Sequence, residues 1–231
     1  MKRRLAAAVA AVFGFAALSP AANANVYGFD AITSNGGSSV AIGETQLSME
    51  VIDCGIMCVD FTFTNSGPEN SVVEAIYWED PVPYLDGITD ITSLVEIDGV
   101  SFAEDPTPNV LPGGNTVGFS VSNDVDADNP APTFGIDPGE SLSVQFMLGA
   151  GYNFADVLAA LDDTSLRVGM HVIAFDNGQS ESFVNGVCTD CGGGGGGGGG
   201  GGNQVSEPAP LALLGLGLLG LAGATAKRRK G

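Results

Sequence analysis

The chain has 231 residues, and its 27 acidic residues outweigh eight lysines and arginines to give a formal charge of −19. All the acids lie between Asp30 and Glu207, and Arg167 is the only lysine or arginine in that stretch. Such a surface offers no cation to a phosphate, which argues against nucleic acid or anionic lipid as a partner and favours bound cations and stabilisation by salt. At the start of the chain, Met1-Lys2-Arg3-Arg4, the apolar run Leu5 to Leu18 and the small-x-small exit Ala22-Asn23-Ala24 are the three parts of a secretory signal peptide, 1–24. Signal peptidase is expected to cut between Ala24 and Asn25. The apolar run, about 14 residues, is short for a bilayer span.

Residues 25–187 read as one acidic β-rich domain, long enough for a single core and too short for two. Val26–Asp30, Leu47–Ile52 and Val59–Thr64 alternate apolar and polar residues, with turn chemistry at Ser34–Ser38 and Asn65–Pro68. Val72–Trp78 is β-branched and aromatic. Further strands are predicted at Ser93–Ile97, Val100–Phe102, Val117–Val121, Ser141–Leu148, Leu166–Phe175 and Ser182–Val184. Short strands split by Pro, Gly, Asn and Asp clusters predict an all-β, antiparallel, jelly-roll-like sandwich. One short helix is expected after the cap Asn153, because Phe154, Val157, Leu158 and Leu161 fall on one face.

The chain has four cysteines, and export places them in an oxidising compartment where disulfides are the default. Cys54 and Cys58 are placed to face each other across a hairpin. Cys188 and Cys191 pair locally or tie the domain's end to that hairpin; a tetrathiolate zinc site is the weaker rival.

Chemistry is sparse in the domain. His171 lies in a strand-like run and reads as a structural residue hydrogen-bonded at a sheet edge. Arg167 is expected to make a bidentate pair with a carboxylate at a strand start. Tyr77, Trp78 and Tyr84 read as core or interface aromatics, with sugar binding as the rival reading. No Gly-x-Ser-x-Gly is present, and one histidine does not make a multi-histidine metal site. No catalytic residue is expected, and no cofactor other than calcium. The candidate for calcium is the acidic turn Asn123–Asn129, in which Asp124, Asp126 and Asp128 alternate and converge on a hard cation. It is not an EF-hand, since Asn129 stands where that loop needs Gly and Gly135 where it needs Glu.

Residues 188–204 read as a Cys/Gly-rich flexible linker, with the unbroken tract Gly192–Gly202 unable to bury apolar area. The uncharged run Ala209–Ala226 follows, long enough to cross a hydrocarbon core of ~30 Å as a single helix. Lys227-Arg228-Arg229-Lys230 then holds its end in the cytoplasm.

The tail 205–230, with Val205-Ser206-Glu207-Pro208 before the apolar run and the basic cluster, resembles the PEP-CTERM sorting signal, also labelled an ice-binding-protein C-terminal domain. Ser206 stands where that signal usually has its first proline. The resemblance implies recognition by an exosortase, removal of the helix, and release or attachment at the surface of a Gram-negative bacterium. Phe61–Pro68, Gly99–Phe102, Asn109–Asn115, Asp137–Leu142, Phe154–Val157, Leu166–Val172 and Gly178–Asn185 also resemble a group of PEP-CTERM proteins, which implies a domain boundary and no chemistry. The function expected is a non-catalytic structural protein of the surface or of a biofilm matrix containing exopolysaccharide. The alternatives are a calcium-assisted carbohydrate-binding or adhesion module and, last, a secreted hydrolase.

Overall fold

The computed structural model describes residues 25–188 apart from 96 and 98. Ten strands carry the fold: β1 (Asn25–Ala31), β2 (Leu47–Asp53), β3 (Cys58–Asn65), β4 (Val72–Glu79), β5 (Leu85–Val95), β6 (Phe102–Glu104), β7 (Asn123–Ala127), β8 (Ser141–Leu148), β9 (Arg167–Ile173) and β10 (Glu181–Cys188). They form one antiparallel sheet in the order β5-β8-β3-β2-β1-β10-β9-β4-β7-β6. The all-β, antiparallel expectation holds. The ladder does not divide into two sheets; it runs without a break and curls until the edge strands β5 and β6 approach, so the sheet nearly closes.

Alternation fills the interior. Leu47, Met49 and Val51 of β2, Val59, Phe61 and Phe63 of β3, and Leu142, Val144, Phe146 and Leu148 of β8 all point into one core. Trp78 of β4 arrives from the far side of the curl. Its ring meets Phe146 at 4.9 Å, Phe63 at 5.6 Å and Phe61 at 5.9 Å, edge to face. Each such buried side chain contributes about 1.5–3 kcal/mol, so this cluster helps draw the two arms of the sheet together.

β4 is buried on both faces, which is why its sequence does not alternate. Ile76 and Trp78 face the main core, whereas Ala75 and Tyr77 face a second apolar cluster with Leu111, Phe119 and Val184. Leu111 and Phe119 belong to the segment between β6 and β7, which lies over the outer face of β4, β9 and β10. Gly169 of β9 permits that contact: a Cβ there would sit 2.7 Å from Leu111 Cδ2. Val117–Val121, read above as a strand, belongs to this covering segment. A 3-10 turn occupies Gly114–Val117, and the chain beyond packs through Phe119 instead of pairing.

The predicted helix is present as α3 (Phe154–Asp162), numbered after α1 (Gly37–Gln46) and α2 (Ala131–Phe134). Asn153 caps α3: its Oδ1 accepts from Ala155 N at 2.9 Å, and Asp156 Oδ2 accepts from Asn153 N at 2.9 Å. Val157 and Leu161 enter the main core. The helix α1 was not expected; only a turn was read at its start. It docks on β1 and β10, and Gly43 lets it approach, since a Cβ there would lie 2.1 Å from Phe183 Cζ.

The tight link between β2 and β3 carries a Cys54–Cys58 disulfide, with Cα atoms 5.4 Å apart across the hairpin. Cys188 ends β10; its side chain, and Cys191, lie outside the described residues. So do the expected signal peptide 1–24, the glycine tract and the predicted span Ala209–Ala226. Among the described residues, no helix is long and apolar enough to cross a membrane.

Candidate functional site

Residues 123–127, read above as an acidic turn, are the strand β7. The period of two puts Asp124 and Asp126 on one face and Val125 in the main core. On the paired strand β4, Tyr77 stands opposite Asp124 and Ala75 opposite Asp126. On the other side, β6 sets Ala103 opposite Asp126. Continuing that register brings Asp105 opposite Asp124, where its N–H donates to Asp124 O at 3.4 Å. Like charges directly opposed in this way are unfavourable.

One carboxylate oxygen from each of Asp105, Asp124 and Asp126 lies within 4.8 Å of the others. Asn109 ties the three together. Its Nδ2 donates to Asp105 Oδ2 at 3.1 Å and to Asp126 Oδ2 at 2.9 Å, and its backbone N donates to Asp124 Oδ2 at 2.9 Å. Asp124 is 0% exposed, and its buried Oδ1 accepts no hydrogen bond. Burial pushes the Asp124 carboxyl up to about 6, with the Asp126 and Asp105 charges adding to the rise against the hydrogen bonds of Asn109. Burial raises Asp126 as well. The Tyr77 phenol beside them is raised by burial first and then by the charges of Asp126, Asp124 and Glu74.

Asp128 does not join this group. β7 ends at Ala127, and Asp128 is exposed and accepts from Ser101 Oγ at 2.7 Å. Asp105 was the residue that sequence reasoning missed. It lies 19 positions before Asp124, and only the β6–β7 pairing joins them.

A groove of about 290 Å3 opens beside Asp126, lined among others by Glu74, Tyr77, Asn109 and His171. His171 lies on β9, which is inside the sheet between β10 and β4 and not at an edge. Its Nδ1 sits 3.1 Å from Glu74 Oε2, while burial pulls its pKa below the ordinary histidine value. The groove lining contains no serine, threonine or cysteine.

Arg167 opens β9 and pairs with Glu79 through Nε alone, not bidentately. Its other nitrogens donate to Val117 O at 3.1 Å and Gly118 O at 3.0 Å, and its guanidinium lies 5.3 Å from the Phe119 ring centre. The one cation between Asp30 and Glu207 is thus spent on holding the covering segment. Tyr77 and Trp78 are buried, and Tyr84 packs against Tyr152 at 4.7 Å.

The domain is therefore an acidic, nearly closed antiparallel sheet carrying a three-carboxylate cluster. Residues 204–230 match the family model of the PEP-CTERM protein-sorting motif, including the expected Val205, Ser206, Glu207 and Pro208. That motif marks an exported protein targeted to an exosortase at the Gram-negative cell envelope. The residues of the motif lie outside the described part of the structure, as does Ala24; Asn25 is the first residue of β1, opposite Val51. No curated protein and no solved structure matches the chain.

Proposed function

We propose that this chain is an exported, exosortase-processed structural protein of the cell surface or extracellular matrix, associated with biofilm exopolysaccharide and without catalysis of its own. The observation that carries the reading is the sorting motif at 204–230. The domain 25–187 would be handed over beyond the linker 188–204, the motif Val205–Pro208 recognised, and the helix 209–226 removed. Dense negative charge suits a domain that stays soluble among crowded polymers.

The test is the mass of the exported product in a Gram-negative host with an exosortase and in the same host lacking it. The product should begin at Asn25 and end upstream of the apolar run, and should keep that run in the deletion host. Glu207→Ala with Pro208→Ala should leave the tail in place in both. Identical masses in the two hosts would overturn the processing step.

A second reading, a calcium-assisted module for carbohydrate or adhesion, is favoured by the convergence of Asp105, Asp124 and Asp126. A glycan array with and without calcium separates the two. Calcium-dependent retention supports the module, and uniform absence of binding supports the matrix role.

A further inference from the structure

We propose that Asp105, Asp124 and Asp126, joined by the side-chain oxygen of Asn109, form a site for calcium that locks the covering segment onto β7. This inference is independent of the sorting reading, whose test is the processed mass.

Two separate observations point to a cation. The first is convergence: three carboxylate oxygens, two from β7 and one from Asp105 just past β6, lie within 4.8 Å of one another. Oxygens this close can share one cation at the ~2.4 Å calcium–oxygen distance, and calcium tolerates an irregular oxygen set and sheds its water more readily than magnesium. The second is the state of Asp124. It is fully buried, yet one of its buried oxygens has no partner. Such an atom carries an uncompensated desolvation cost, larger still when the group is charged. A glutamate elsewhere in this protein shows how a buried carboxylate is satisfied without a metal: Glu181, 1% exposed, receives four hydrogen bonds. Asp124 has no such set of donors.

Among the described residues, no protein cation serves instead. Arg167 is engaged by Glu79, and His171 by Glu74. Asn109 donates through Nδ2 to two of the acids. Turning that amide over would present its oxygen to the same point, adding a fourth oxygen ligand of the kind calcium accepts. Asp105 and Asn109 both precede Leu111, which covers Tyr77 and Gly169. A cation bound here therefore fastens the start of the covering segment, as Arg167 fastens its end. The groove beside Asp126 and Asn109 gives that side of the cluster access to water, which would complete the coordination.

The full chain in mild detergent is stripped with chelator and its melting temperature followed during titration with calcium chloride. About 5 mM calcium should raise the Tm by roughly 3–6 °C over chelator, given the weak affinity of extracellular calcium modules. Magnesium at equal ionic strength should raise it less. Asp105→Asn and Asp124→Asn should each abolish the calcium-specific increment, and Asp128→Asn should retain it. The absence of any increment, an equal response to magnesium, or an increment that survives Asp105→Asn overturns the proposal. Loss in Asp128→Asn with retention in Asp105→Asn overturns it too. If Asp124→Asn does not fold, equilibrium dialysis of the wild-type chain decides: retention of a calcium ion that Asp105→Asn does not retain supports the site, and equal retention overturns it.

Discussion

Two buried carboxylates, Glu181 and Asp124, are equally hidden from water and have opposite surroundings. Glu181 sits under the start of α1 and accepts from Thr33 Oγ1, Asn35 N, Gly36 N and Ser39 Oγ at 2.6–2.8 Å. Burial works to raise its pKa, but these donors outweigh burial and hold it below the ordinary glutamate value. Asp124 has donors from Asn109 alone, an Oδ1 without a hydrogen-bond partner, and two further acids at hand. The difference shows that burial alone does not decide the cost of a carboxylate; the number of donors aimed at it does. Glu181 is a structural anchor satisfied by the chain itself, whereas Asp124 keeps one oxygen without a donor among the described residues.

The largest effect that separates the two is expected at Glu181. Glu181→Ala leaves four donors facing an apolar gap and should cost about 3–5 kcal/mol in urea unfolding at pH 7. Asp124→Asn in chelator should move the other way, raising stability by about 1 kcal/mol, because it removes a charge opposed to Asp105. Destabilisation of both variants alike would end the contrast.

Acid gives a second handle. Glu181 has a folded pKa below its unfolded one, so its contribution is fully present above the ordinary glutamate value. It is lost as pH falls through the lower folded value. Urea midpoints measured downward from pH 5 should therefore fall less steeply in Glu181→Gln than in the wild type. Smaller still, Asn109→Ala should cost about 1 kcal/mol by releasing two side-chain hydrogen bonds at an exposed position. The smallest effect is expected at Asp128→Asn, within ~0.5 kcal/mol, as for an ordinary exposed residue. A large loss there would return Asp128 to the centre of the cluster.

Some of this was legible in the residues, and the rest was hidden for identifiable reasons. α3 was readable because its cap, Asn153, and its apolar face are local. α1 was not, because its N-cap is Gly36, which offers no side chain; the carboxylate that satisfies its start is 145 residues away on β10. β5 was read only at its C-terminal end. Its register against β8 shifts at three places, between Leu85 and Gly87, Ile88 and Asp90, and Ser93 and Val95. Those bulges turn a period of two into a spacing of three, so that Leu85, Ile88 and Ile91 all reach the core. Val117–Val121 had the right composition for a strand, but Phe119 and the Arg167 contacts at Val117 and Gly118 hold it down as a cover.

By itself, the sequence determined what depends on neighbours along the chain. That covers the alternating strands, the capped helix, the hairpin that brings Cys54 to Cys58, the concentration of acid between the ends, and the sorting motif at 204–230. Only the tertiary structure decided which acids meet. Alternation put Asp124 and Asp126 on one face, but the strand ended before Asp128, and the pairing of β6 with β7 supplied Asp105 in its place. The reason is physical: register between strands is set by the whole curled sheet and its core, and a ligand contributed across a ladder leaves no spacing in the chain to be read.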